Sequence, residues 1–175
     1  LWTAGFGEKF QQRFGYDILP HMADLDARPD ERYDYRTLLA ELALEEFYRP
    51  YTRLCHELGG FARVQCHGAP ADIISAYAAV DIPESEAILF DCDFADFAAS
   101  AAALTGKPVV SAEAFTCVYG WEPCPGPGPH QQEEKIYDLK LIADGLMANG
   151  VNEIIWHGMP YNPLGGNQRF YATTH

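Results

Sequence analysis

Positive charge is scarce in this sequence: 12 lysines and arginines stand against 25 aspartates and glutamates, a formal net charge of −13. Such a field repels phosphate backbones and anionic headgroups, so no nucleic-acid and no membrane partner is expected. A neutral ligand such as a sugar is indifferent to it. No run of about 18 apolar residues occurs, and the N-terminus shows no charged stretch followed by an apolar one. Neither G-x-G-x-x-G nor G-x-x-x-x-G-K-[ST] follows an apolar run, which argues against a nucleotide-binding sheet. The five cysteines, Cys55, Cys66, Cys92, Cys117 and Cys124, lack C-x-x-C pairing, which argues against a zinc site. Cys117 and Cys124 flank one loop and are placed for a small disulfide; buried or free thiols are the other reading.

What is present is a globular pattern. A chain of 175 residues with 48% hydrophobic content suffices for one packed core, whereas a complete (β/α)8 barrel takes about 250 residues. Residues 1–175, opening at Leu1 without a methionine, are therefore expected to be part of a single barrel domain within a longer protein. Phe6, Phe10 and Phe14 recur at helical spacing, and Gly15 is expected to end that helix. Residues 20–33 read as a connecting segment, with Asp34 as N-cap of a long helix. Leu39, Ala43, Phe47, Tyr51, Leu54 and Leu58 form its apolar stripe, interrupted or kinked at Pro50. Three times thereafter a helix closes on glycine and a strand follows: residues 54–60 precede 62–67, 98–106 precede 108–115, and 139–150 precede 151–157. An apolar run at 87–91 supplies a further strand. Helix, glycine, buried strand, polar residue is the grammar of parallel α/β structure. The expected fold is a partial (β/α)8 TIM-type barrel, with an open doubly wound sheet as the alternative.

Strand alternation then shows which side chains share a face. Arg63, Gln65 and His67 lie together, as do Val109, Ser111 and Glu113, and Glu153, Ile155 and His157. Each strand delivers one polar residue, His67, Glu113 or His157, at its C-terminal end, the rim where barrel enzymes place their active sites. Glu113 closes an otherwise apolar strand, where a carboxylate is costly unless paired or used. Its two readings are a catalytic group and a structural carboxylate. Gln65 suits sugar hydroxyls or a polar layer inside the sheet. The proline- and glycine-rich residues 117–130 carry Tyr119 and Trp121, whose rings suit stacking on a sugar or anchoring the loop. Asp81, Glu84 and Glu86, with Asp91 and Asp93, offer oxygen ligands for calcium or form a solvated acidic loop.

Several segments together resemble glycoside hydrolase family 106, whose characterised members are α-L-rhamnosidases. They are Trp2-Thr3 with Glu8-Lys9-Phe10, Arg13-Phe14-Gly15-Tyr16-Asp17, Gln65-Cys66-His67-Gly68-Ala69-Pro70, and the stretch from Asp81 to Glu86. They continue in Gly106-Lys107-Pro108 through Glu113 to Thr116, in Gly150-Val151-Asn152, and in His157-Gly158-Met159-Pro160-Tyr161. The resemblance implies a (β/α)8 catalytic domain that hydrolyses a glycosidic bond, that of α-L-rhamnosides, with inversion and commonly uses calcium; the alternatives are a glycosidase of another sugar specificity and a non-catalytic carbohydrate-binding α/β domain. The resemblance also implies Glu113 as one of two catalytic carboxylates, the base, with the second in an acidic motif upstream of Trp2-Thr3. Gln65, His67, Trp121, His157 and Tyr161 are the candidate substrate contacts, although His67 stands where the family usually has tyrosine. The implied partners are a carbohydrate substrate and the remainder of the parent barrel. Without the upstream carboxylate, this chain by itself is expected to have no glycosidase activity.

Overall fold

Phe6, Phe10 and Phe14 do form a helix. In the computed structural model, which describes residues 3–88, 91–116, 118, 120–121, 124–125 and 135–158, α1 spans Phe6–Phe14 and ends at Gly15. Phe6 and Phe10 are wholly buried with Ile18 and Leu38 in a small N-terminal cluster. A 3₁₀ stretch, Leu19–Ala27, leads into α2, Pro29–Ala43. The expected connecting segment is therefore largely helical, and α2 starts before Asp34. Pro29 fits the first turn, where its missing N–H is no loss, and Asp30 and Glu31 sit favourably near the positive end of the helix dipole. Asp34 instead accepts a hydrogen bond from the Tyr16 hydroxyl at 3.0 Å.

Pro50 does not break the following helix. A π-turn at Leu44–Tyr48 runs directly into α3, Arg49–Glu57, and Pro50 falls in the first turn of α3. The wider turn shifts the helical phase. Tyr48 enters the core at 3% exposure, while Phe47 stays 56% exposed and Leu58 80%. The second half of the expected apolar stripe thus faces outward.

Four strands then build one parallel sheet in the order β1-β2-β3-β6: β1 Arg63–Gln65, β2 Ile82–Ile88, β3 Ser111–Thr116 and β6 Glu153–Trp156. Helices connect them: α4 Ile73–Ala78, α5 Phe94–Thr105 and α6 Ile136–Ala148. Between β3 and α6 lies a short antiparallel pair, β4 Gly120–Trp121 and β5 Cys124–Pro125. This mixed α/β arrangement, four parallel strands in one sheet, is consistent with part of a TIM-type barrel. No helix among the described residues is long and apolar enough to cross a membrane.

One strand differs from expectation in a way that matters. Of the expected run at 87–91, Ala87 and Ile88 are the end of β2, which begins at Ile82 and takes in Glu84 and Glu86, while residues 89–90 lie outside the described residues. The other face of β2, Pro83, Ser85 and Ala87, is buried. Against β2 packs α5, whose Ala95, Ala98, Ala101 and Ala102 are buried and let helix and sheet approach closely. The Cys66 thiol is pushed up to about 12 by burial and so is an inert core residue. Asn152 stitches the strand entries together: its Oδ1 accepts from Val110 N at 2.9 Å and its Nδ2 donates to the Pro108 carbonyl at 2.8 Å.

Candidate active site

The sheet register sorts one face into levels. Gln65, Glu84, Ser111 and Glu153 are aligned neighbours, and Glu86, Glu113 and Ile155 form the next level toward the strand C-termini. Side chains in register on parallel strands point to one side, and the hydrogen bonds among them follow.

At the lower level Glu84, 8% exposed, is fully engaged. Arg63 Nε lies 2.8 Å from its Oε2, the Ser111 hydroxyl donates to the same oxygen at 2.9 Å, and Gln65 Nε2 approaches Oε1 at 3.4 Å. A buried carboxylate needs this set of donors. Glu84 is thereby a structural foundation.

One level up, Glu113 is gripped from both sides. Gln65 Nε2 donates to its Oε2 at 2.5 Å, and His157 Nδ1 meets its Oε1 at 2.6 Å. A carboxylate has about four acceptor positions, so two remain for a water or a hydroxyl. Glu113 and His157 each keep 28% of their side chains exposed, enough for a ligand to reach them.

Glu86 stands beside Glu113. His67 Nε2 lies 3.2 Å from its Oε2, and the Thr116 hydroxyl is 3.4 Å from its Oε1. The His67 ring is itself wedged, with Nδ1 3.3 Å from the Tyr77 hydroxyl and its face 4.9 Å from the Phe94 ring centre. Burial raises the Tyr77 hydroxyl above its ordinary value, and it donates to the Glu84 carbonyl at 2.9 Å. Glu86, Glu113 and His157 bring one ligand atom each within 4.8 Å of one another.

The ladder between β2 and β3 slips at this point. Glu86 pairs with Glu113, but Ile88 pairs with Thr116, so β3 carries an extra residue. Phe115 absorbs it with φ 71, the one positive φ at a non-glycine position among the described residues. A left-handed conformation at a bulky residue costs on the order of 1–2 kcal/mol. Its ring is buried against Trp156, 4.6 Å between centres.

The structure thus brings Gln65, His67, Glu113 and His157 together. Trp121 lies in β4, on the loop leaving β3. The Trp121 side chain, Tyr119, Tyr161 and the Cys117–Cys124 pairing lie outside the described residues. Sequence reasoning read Glu84 and Glu86 as calcium ligands or part of a solvated acidic loop, not as a strand, and gave no role to Arg63 or Thr116. The signal for the two glutamates was present: Ile82, Glu84, Glu86 and Ile88 alternate with small residues at period two. Pro83 and the charges disguised it as a turn. A separate open cleft of about 740 Å³ lies between α2 and the β1–α4 loop, with Tyr33, Tyr35, Arg36 and Asp72 among its walls.

Parallel strands that converge carboxylates and imidazoles at their C-terminal ends are the form of site that glycoside hydrolases use. Residues 1–169 match the family described as alpha-L-rhamnosidase, glycoside hydrolase family 106, and the chain belongs to that family. A curated protein of Formosa agariphila, named "Putative beta-glucuronidase", is 29% identical over 173 residues. The match takes in 93% of this chain but only 14% of that protein, so the chain spans a small part of its relative's length.

Proposed function

We propose that this chain is a segment of the catalytic barrel of a glycoside hydrolase that cleaves α-L-rhamnosides with inversion, and that Glu113 is the general base. The observation that carries the reading is the grip on Glu113. Gln65 and His157 fix both oxygens while leaving acceptor capacity for an attacking water. An inverting enzyme needs its acid and base roughly 6.5–9.5 Å apart to admit that water. Glu86 comes within 4.8 Å of Glu113 and is too close to be the acid. Glu84 is committed to Arg63 and Ser111. With neither of these glutamates left to serve, the acid is assigned, as the family resemblance implies, to the remainder of the parent protein, together with the rest of the barrel wall.

Calcium is part of this proposal. The donor set fits it in part, because the carboxylate oxygens of Glu86 and Glu113 are the hard ligands calcium takes. The His157 nitrogen is not a ligand calcium favours and would suit zinc better. Glu86 and Glu113 would hold the ion, whose charge would orient substrate hydroxyls. Gln65 and His157 would go on aligning Glu113.

The test is hydrolysis of an aryl α-L-rhamnoside by the full-length parent, with the anomer released followed by NMR. Inversion gives β-L-rhamnose first, and Glu113→Gln should lower turnover about 10²–10⁴-fold without unfolding the protein. Near-normal turnover in a folded Glu113→Gln protein would remove Glu113 from the base role. A second reading, cleavage of a β-glucuronide, is favoured by the name of the Formosa relative. Assaying both glycosides side by side decides between them.

A further inference from the structure

Strand alternation puts Glu113 on the polar face of the sheet and would turn Thr116, three residues on, to the opposite one. The bulge reverses that outcome. Ala114 is level with Trp156 in the ladder, and both Ala114 and the extra residue, Phe115, are buried in the core cluster that holds Ala98 of α5 and Ile142 of α6. Two successive residues thus go to the helix side, and Thr116 returns to the side of Glu86, where its hydroxyl faces Glu86 Oε1. Bulges commonly re-aim a side chain beside an active site. Here the re-aiming is accomplished at a phenylalanine in the left-handed region, a conformation glycine would adopt without strain.

We propose that Thr116 is a substrate-contacting residue of this site, delivered by the Phe115 bulge to bind a sugar hydroxyl jointly with Glu86. The inference rests on the glycosidase reading above. The distance supports it: 3.4 Å is long for an O–H···O bond, whose usual length is about 2.7–2.8 Å. Glu86 therefore does not saturate the Thr116 hydroxyl. A sugar hydroxyl placed against the pair donates its proton to the Glu86 carboxylate and accepts one from Thr116, each bond polarising the other. His67, on the second oxygen of Glu86, keeps that carboxylate facing the pair.

The experiment uses the full-length parent carrying Thr116→Val, which keeps the shape and removes the hydroxyl, and Thr116→Ser, which restores it. Thr116→Val should lower kcat/KM on the hydrolysed glycoside about 10-fold, mostly through KM, the size of one neutral hydrogen bond. Its thermal midpoint should be unchanged, and Thr116→Ser should recover activity to within about threefold. To separate binding from turnover, the intact glycoside is titrated into Glu113→Gln and into Glu113→Gln with Thr116→Val, where affinity should differ by the same factor. Equal affinities, or kinetics of Thr116→Val within twofold of the unaltered parent, overturn the proposal while leaving Glu113 in place. Full activity of Glu113→Gln would instead strike the glycosidase mechanism, and the Thr116 comparison would still be read on whichever glycoside the parent cleaves.

Discussion

Gly150 offers a perturbation whose magnitude the geometry sets. It follows the end of α6 with φ +92, and a Cβ built there would lie 2.9 Å from the Ala99 Cβ on α5. Comfortable carbon–carbon contacts are about 3.5–4.0 Å, so Gly150→Ala should carry two penalties. The left-handed backbone costs about 1–2 kcal/mol for a residue with a Cβ, and overpacking against α5 adds about 1–3 kcal/mol. Gly106, at φ +69, has nothing within 4 Å of its virtual Cβ. Gly106→Ala should therefore show the backbone penalty alone. The two variants are compared in the full-length parent by hydrogen exchange of the amides flanking each glycine, α5 and β3 for Gly106 and α6 and β6 for Gly150, with Ala99→Gly completing a double-mutant cycle on Gly150→Ala. A favourable coupling of about 1–3 kcal/mol between positions 99 and 150 is expected. Because the clash at Gly150 pushes the chain leading into β6 away from α5, Gly150→Ala should also loosen the His157–Glu113 contact and reduce activity; Gly106→Ala, which leads into β3 without a clash, should disturb it less. Equal destabilisation by the two alanines, with no coupling to Ala99, would refute the steric argument.

Two other outcomes follow from local geometry. Asp72 caps α4, accepting the Ser75 N–H at 2.7 Å, a bond that holds its carboxyl below the usual range. A depressed carboxylate stabilises the fold above its unfolded value of about 3.9 and loses that contribution as pH falls through the folded one. Asp72→Ala should cost about 1 kcal/mol at pH 7, and the gap from the unaltered protein should shrink below about pH 4; a gap constant across that range would dismiss the cap. Stripping divalent ions from the parent should lower glycosidase activity, with calcium restoring it better than zinc. Preferential rescue by zinc would shift the ion toward His157.

Much of the fold was legible because it rests on local signals. Glycines mark the ends of α1 and α5, and the apolar runs leading to Glu113 and His157 are strands, each close to where periodicity put them. The errors arose where a tertiary effect overrides a local one. Glu84 and Glu86 look solvated in sequence, yet partners that are distant along the chain (Arg63 and Ser111 for Glu84, His67 for Glu86) make their strand positions tolerable. A pattern of one segment cannot reveal a donor supplied by another. The π-turn at Leu44–Tyr48 and the bulge at Phe115 have the same effect at different periods. Each inserts a residue into a regular repeat, and every assignment of faces beyond it changes. At the site, Glu113 and His157 were read from their strand-end positions, whereas Gln65 turned out to hold Glu113, a role alternation alone could not assign.

The bond between Gln65 and Glu113 also ties together two strands that share no backbone pairing. The two residues sit on β1 and β3 with β2 between them, and two strand spacings amount to about 10 Å. Their side chains reach across that span and meet at 2.5 Å over the intervening strand. The orientation of Glu113 therefore depends on where β1 lies, although no ladder joins β1 to β3. A substitution far from the carboxylate that shifts β1 would carry Gln65 with it, and would disturb Glu113 without touching it.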